Sequence, residues 1–479
     1  LAGLQHYGLR DALLALSGSL PQDPASMAAS VRRRLLWGYG LGDAGTGMAA
    51  SLIGFYLFVF YTSAAGLPPW MAGLVLMLAR LGDAINDPIV GWLSDRTRGP
   101  WGPRLPWIAG SAVPLGIAMA LMWWLPPGSD WFRFSFFLLI SVLANSLYTC
   151  VNLPYSALAA ELTNSVSLRT RLNSARFTGS ILASLLGLVL GAALLRDLRQ
   201  PSAYWQLGLI SGVLISLSTL LCAWGLAPIA SHCQRPGHHP GSTRQLLRRV
   251  GRNRRFLLVL SLYLMLWCAL QLMQTAALIF LPVVMRVPEG WSTWILLPFQ
   301  LSTLAGLQLW TVVANRSGRL RALRLGSGCW IVGCSLAMLL VPLDPLLSPL
   351  GVNNLLRLAL LLVAMLLVAL GAATAYLIPW SLLPDAIDAD PDKPAGIYSA
   401  WMVFAQKICI SVALLLFGNL LSFSGYAASR GLDQPDSALL AIRMCMGILP
   451  GLLVVLGLLL MRLWPIRPPS LGPADAATP

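Results

Sequence analysis

The chain has 479 residues, of which 57% are hydrophobic and only 11% charged, with a mean hydropathy of +0.71. Soluble chains carry about 25% Asp, Glu, Lys and Arg, so a soluble enzyme and a disordered chain are both excluded. The net charge of +15 fits arginine-rich loops on one side of a membrane better than a nucleic-acid surface, and nucleic acid is not expected as a partner.

In chain order, residues 1–35 form a polar tail. Its apolar run is short and is followed by Pro21, Pro24 and Arg32 to Arg34, so no signal peptide is read there, and Met27 is an alternative start. A bilayer core needs about 20 apolar residues per helix. Segments of that kind lie near 36–62, 69–93, 105–125, 131–160, 173–195 and 204–228, and again near 256–285, 292–313, 325–342, 354–384, 396–424 and 437–464. The expected architecture is an all-α membrane protein of twelve transmembrane helices in two six-helix bundles, 36–228 and 256–464. A cytoplasmic basic linker over 229–255 holds seven arginines (Arg235, Arg244, Arg248, Arg249, Arg252, Arg254 and Arg255), and 465–479 is a second tail. The eight cysteines (Cys268 and Cys409 among them) lie mostly within apolar stretches, without zinc-ligand spacing, and are read as small core residues.

Loop charge fixes the expected orientation. With the N-terminus inside, the inner loops hold Arg96, Arg98, Arg104, Arg169, Arg171, the linker arginines, Arg316, Arg319, Arg321, Arg324 and Lys393. The outer ones hold Arg133, Arg196, Arg199, Arg286, Arg357 and Arg430. The positive-inside rule then places both termini in the cytoplasm, in a plasma or inner membrane.

The halves echo each other. LPYSALAAE at 153–161 has a counterpart beginning IPWSLLPD at 378–385, Thr149 and Thr374 sit at the same offset, and DRTRGPWGPR at 95–104 is matched more weakly by NRSGRLRALR at 315–324. Parallel repeats of six helices are the layout of a major-facilitator transporter.

Ionisable side chains within apolar segments mark function by default. Here they are Asp43, Arg80, Asp83, Asp87, Arg176 and Lys407, three acids against three bases. The stretch LARLGDAINDPIVGW at 78–92 puts Asp83 and Asp87 at i and i+4, on one helical face, with Asn86 beside them. Pro88 frees the carbonyl of Ala84. Such a hard-oxygen cluster suits a small cation; a proton shared by the carboxylates is the competing occupant. Simple pairing of these acids with Arg80 and Arg176 is the structural alternative. Of 33 basic residues only Lys393 and Lys407 are lysine, and a lysine amid an apolar segment reads as a mobile counter-charge to the Asp pair or as a side chain whose head reaches the interface.

Together RLGDAINDPIVGW, the following DRTRGPWGPRLPW, LPYSAL, Arg176 and Lys407 resemble the glycoside–pentoside–hexuronide:cation symporters, the group of the melibiose permeases and the sodium-coupled lysophospholipid transporters. The resemblance runs from about residue 36 to 425. It implies a sodium site of Asp83, Asn86, Asp87 and Thr149, with Arg176 and Lys407 lining the adjoining cavity. Three positions depart from the melibiose pattern: Gly47 stands for a sugar-binding Asp, Asn152 for an acid, and Ser156 for a stacking Trp. PYSAL at 154–158 is closer to the lysophospholipid branch. Ile397 and Tyr398 replace an Arg–Glu pair common at the inner gate, while Asp385 and Asp388 keep its acidic cluster.

The expectation is therefore a monomeric secondary symporter working by alternating access, with Na+ as coupling ion, H+ as its competitor, and no enzymatic cofactor. Gly47, Asn152, Tyr155, Arg176, Trp380 and Lys407 would enclose a small organic solute, a sugar or glycoside. Asp43 and Arg80 would take part in charge coupling. Asp95, Arg96, Arg98, Arg104, Glu161 and Asp385 would close the inner gate through salt bridges. A lysophospholipid or amphiphile symporter, a proton-coupled exporter and a non-transporting sensor remain as alternatives. An enzyme is not expected, because none of His6, His232, His238 and His239 lies in an apolar segment.

Overall fold

A computed structural model of the chain describes residues 29–98, 101–162, 166–230, 251–344, 351–388 and 395–464. These residues form twelve crossing helices. The first six are α1 (Ala29–Leu52, carried on by π-helical turns Ile53–Leu57 and Phe60–Ala64), α2 (Pro69–Arg96), α3 (Leu105–Leu121), α4 (Asp130–Leu162), α5 (Val166–Leu194) and α6 (Pro201–Ala230). The second six are α7 (Arg254–Ile279, carried on by Phe280–Val284), α8 (Glu289–Ser317), α9 (Arg319–Leu339), α10 (Val352–Ile387), α11 (Ala395–Phe423) and α12, broken at Gly447 into Asp436–Met446 and Ile448–Leu460. Every expected span appears. Three helices begin well before apolarity alone placed them: α1 takes in Arg32 to Arg34, α5 takes in Arg169 and Arg171, and α9 takes in Arg319, Arg321 and Arg324. Arginine is a good helix former, and hydropathy finds where the lipid ends rather than where the helix does. With an even number of crossings in each half, the start of α1, the end of α6, the start of α7 and the end of α12 lie at one face, called here the terminal face.

Local chemistry sets the helix starts. Pro69 occupies the first turn of α2, where its missing N–H costs nothing. Asn253 caps α7 by accepting the Phe256 N–H at 3.2 Å. A repeat that no sequence motif announced lies at the far ends of α1 and α7. Both finish in a π turn, where the Ala65 N–H bonds the Phe60 carbonyl at 2.8 Å and the Leu67 N–H bonds Tyr61 at 2.9 Å. In the second half Met285 bonds Phe280 and Val287 bonds Leu281, each at 3.0 Å. Each turn uses one positive-φ residue, Gly66 (74°) in one half and Arg286 (56°) in the other, and then a proline, Pro68 or Pro288. Backbone geometry repeats where side chains have diverged.

Aromatic rings of α1 form the centre of the first half. Phe60 packs on Trp123, Phe137 and Tyr204 with centroids 4.9–5.6 Å apart, all fully buried. Large apolar side chains such as Leu139, Leu182, Val213 and Leu416 point outward, more than 60% exposed, as lipid-facing residues do. The halves meet towards the far face. Phe58 packs edge-on against Phe417 at 4.8 Å, and the Trp70 N–H donates to Ser422 Oγ at 3.0 Å. There α2 crosses α11 at Gly73 and Gly418; a Cβ on Gly73 would come within 2.8 Å of the Leu414 carbonyl oxygen. Backbone-to-backbone contact of this kind needs glycine on both helices. The far face is closed. On α2, Ile85, Ile89 and Trp92 point outward in the same way, 67%, 51% and 53% exposed, on the side of the helix opposite Asp83 and Asp87.

Candidate cation and substrate site

Asp83 and Asp87 project from one face of α2 towards α4 and α11, Asp83 being only 3% exposed. Lys407 of α11 bridges them, its Nζ lying 2.9 Å from Asp83 Oδ2 and 2.5 Å from Asp87 Oδ2. Thr149 of α4 closes the other side, with Oγ1 2.6 Å from Asp83 Oδ1 and 3.1 Å from Asp87 Oδ1. A hydroxyl carries one hydrogen, so Thr149 donates to one carboxylate only, and the shorter contact gives it to Asp83. Two carboxylates against one ammonium leave the cluster one negative charge in excess. A proton or monovalent cation restores neutrality, which a buried group of charges requires. Asn86 bonds elsewhere, its amide donating towards the Ser146 carbonyl of α4 at 3.5 Å.

Arg176 does not reach this pair. Its Nε donates to Asp43 Oδ2 of α1 at 3.2 Å and its Nη2 to Asn152 Oδ1 at 3.4 Å, while Thr46 donates to Asp43 Oδ1 at 2.8 Å. Asn152 in turn donates to Tyr148 at 3.0 Å. The alternative pairing of Arg176 with the α2 acids is thus not seen; Arg176 pairs with α1 instead, because α5 lies along α1. Arg80 makes no ion pair with any described residue.

Two residues expected in the substrate cavity are packing residues instead. Gly47 is buried where α1 crosses α5: a Cβ there would meet Ser180, and its carbonyl accepts Ser184 Oγ at 2.9 Å. Tyr155 is fully buried, stacked on Tyr39 at 4.6 Å, and its hydroxyl donates to the Tyr39 carbonyl; its ring lies 5.3 Å beneath the Arg176 guanidinium. Gly47 was reached through the family pattern and Tyr155 through its place in the LPYSAL string, and neither side-chain volume nor helix register is conveyed by a motif.

Trp380 of α10, 37% exposed, heads an aromatic array that sequence reading missed. It meets Tyr263 edge-on at 5.9 Å, Tyr263 meets Trp267 at 6.0 Å, and Trp267 meets Tyr376 at 4.9 Å. The Tyr263 hydroxyl donates to Gln406 Oε1 at 2.7 Å, beside Lys407. The i, i+4 spacing of Tyr263–Trp267 and Tyr376–Trp380 is the signal that would have found it.

The inner-gate charges pair within each half. Asp95 meets Arg104 at 2.6 Å and Asp385 meets Arg319 at 2.6 Å. Arg96 lies over the Trp92 ring at 3.7 Å and Arg98 is exposed. Tyr398, which with Ile397 stands in place of an Arg–Glu pair, is buried and accepts Asn253 Nδ2 at 3.1 Å, a bond that ties the cap of α7 to α11. The Glu161 side chain, Lys393 and the linker through Val250 lie outside the described residues.

Residues 38–467 match the family model "MFS/sugar transport protein". A protein called "uncharacterized symporter" from Synechocystis sp. is 32% identical over 89% of this chain and 93% of its own length. The sodium-dependent lysophosphatidylcholine symporter 1 of Xenopus tropicalis is 26% identical over 90% and 86%, and the inner membrane symporter YicJ of Escherichia coli 26% identical over 84% and 84%. The crystal structure of a point mutant of the nucleoside transporter NupG shares the fold with a TM-score of 0.67 at 13% identity, covering 91% of this chain and all of that one. By the extent of its match to the family model and to these relatives, the chain belongs to the MFS/sugar transport family of the major facilitator superfamily and is a multi-pass membrane transporter, not an enzyme.

Proposed function

We infer that the protein is a cation-coupled symporter in which the coupling ion and Lys407 compete for Asp83 and Asp87. The observation that carries this reading is the bridge of Lys407 Nζ to both carboxylates, at 2.9 and 2.5 Å, from the opposite half of the molecule. A cation held by Asp83, Asp87 and Thr149 displaces the ammonium. The link between the halves is then weakened, and Lys407 is released to meet substrate, so that ion and solute bind together and the halves rock around them. With the termini in the cytoplasm, the far face is the outside and the described state is closed to it. Sodium is the ion we favour: the donors are hard oxygens, and a relative of similar length is a sodium-dependent symporter.

The solute sits between Asn152 and Arg176 on one side and Trp380 and Lys407 on the other. A sugar or glycoside suits the family model and the aromatic array. A lysophospholipid-like amphiphile is the second reading. It is favoured by the engagement of Asn152 with Arg176 and Tyr148, which occupies the amide that a sugar hydroxyl would need.

Thermal unfolding of the purified protein tests both. Sodium should stabilise it at fixed pH and ionic strength, and a glycoside or a lysophosphatidylcholine should add to that only when sodium is present. Asp83→Asn and Asp87→Asn should each abolish the sodium response. A response that survives in both variants, or that follows pH alone, overturns sodium coupling through this pair.

A further inference from the structure

Beside Lys407, in the second half, two cysteines meet that the transport reading does not use. Cys268 of α7 and Cys409 of α11 have their sulfurs 2.7 Å apart. This is about 0.7 Å beyond a covalent S–S bond of roughly 2.05 Å, and both cysteines are free thiols. Cys268 is 8% exposed and Cys409 is half-buried, so Cys409 is the more accessible thiol of the pair. The Tyr263–Gln406 bond joins the same two helices three residues earlier on α11, at 2.7 Å. Lys407 lies in sequence between these two anchors.

We propose that Cys268 and Cys409 are an oxidisable dithiol whose disulfide pins α11 to α7 and so limits the withdrawal of Lys407 from Asp83 and Asp87. The co-reactant is a membrane-soluble hydroperoxide. Cys409 thiolate attacks the peroxide O–O bond, giving an alcohol and a Cys409 sulfenic acid. The Cys268 sulfur then attacks the sulfenic sulfur, the S–S bond forms, and the sulfenic oxygen leaves as water with the two thiol protons shared between alcohol and water. The two sulfurs lose two electrons and the peroxide gains them; a thiol reductant reverses the bond. Both cysteines lie in one half, so the bridge leaves the halves free to rock. What it fixes is the backbone that carries Lys407, and this part of the proposal rests on the competition between Lys407 and the cation inferred above.

The test treats the purified full-length protein with tert-butyl hydroperoxide, alkylates the remaining thiols and digests it for mass spectrometry. A 268–409 linked peptide should appear, vanish with reductant, and be absent from Cys268→Ser and Cys409→Ser. If both thiols remain alkylated, or Cys409 proceeds to sulfinic acid while Cys268 stays free, the dithiol assignment is overturned. The same samples are measured for binding of radioactive sodium. Bridging should weaken it at least threefold, reversibly, with no effect of hydroperoxide on either serine variant. Unchanged sodium affinity in bridged protein overturns the action on Lys407. Absence of sodium binding from the reduced protein is instead the failure of the coupling reading, and it leaves the mass result to decide the dithiol.

Discussion

Arg176 of α5 and Asp43 of α1 form a salt bridge, Nε to Oδ2 at 3.2 Å, with Thr46 holding the second carboxylate oxygen at 2.8 Å. Asp43 is 7% exposed. Removing one partner of a buried pair leaves an uncompensated charge, at a cost of about 3–5 kcal/mol. Arg176→Gln should therefore lower the melting temperature sharply, and Asp43→Asn in the same chain should recover most of the loss. Thermal unfolding of the single and double variants measures this; a double variant no more stable than Arg176→Gln contradicts the pairing.

Lys407→Met removes the ammonium from between Asp83 and Asp87. The variant should be less stable than the parent in sodium-free buffer, by about 3–5 kcal/mol, and sodium should restore more stability to it than to the parent, because the competitor is gone. Melting curves across a sodium titration read both effects. Equal sodium shifts in the two proteins would show that Lys407 and the ion do not share a site.

Thr149 supplies the one hydroxyl of the cluster. A hydrogen bond to a charged group contributes about 1.5–3 kcal/mol, so Thr149→Val should weaken sodium binding roughly tenfold or more, whereas Thr149→Ser should keep it near the parent value. Isothermal titration with sodium separates the two. Equal loss in both variants would point to packing of the methyl group rather than to the oxygen.

The crossing of α2 and α11 at Gly73 and Gly418 predicts a conformational effect away from the charges. Gly73→Leu cannot be accommodated against the Leu414 carbonyl, so the far-face-closed state should be depopulated. Spin labels at Ser129 and Leu432, exposed on far-face loops of the two halves, should report a longer mean distance in the variant by pulsed electron resonance. An unchanged distance distribution would remove Gly73 from the closure.

Much of this was legible in the primary structure. Twelve apolar runs split six and six by an arginine-rich linker specify the helices, because backbone groups in lipid are satisfied only within such elements. The i, i+4 spacing of Asp83 and Asp87 specifies that they share a face. Thr149 was reached by resemblance, and it does approach both acids. Gly47 shows where such transfer fails: identity at a position carries no information about whether α1 presses on α5 there or leaves a cavity.

Composition, span count and the placement of a few charges in apolar segments were thus determined by the sequence alone, since each is a local property of solvation and helical period. Which base meets which acid was decided only by tertiary packing. Coulomb attraction would let Arg80, Arg176 or Lys407 serve either Asp43 or the α2 pair. The choice of Arg176 for Asp43 and Lys407 for Asp83 and Asp87 follows from α5 lying along α1 and α11 crossing α2 at Gly73 and Gly418. Contacts between residues more than a hundred positions apart are set by how closely two helices can approach. That distance is fixed by the side chains of both helices at their crossing and by neither sequence segment read on its own.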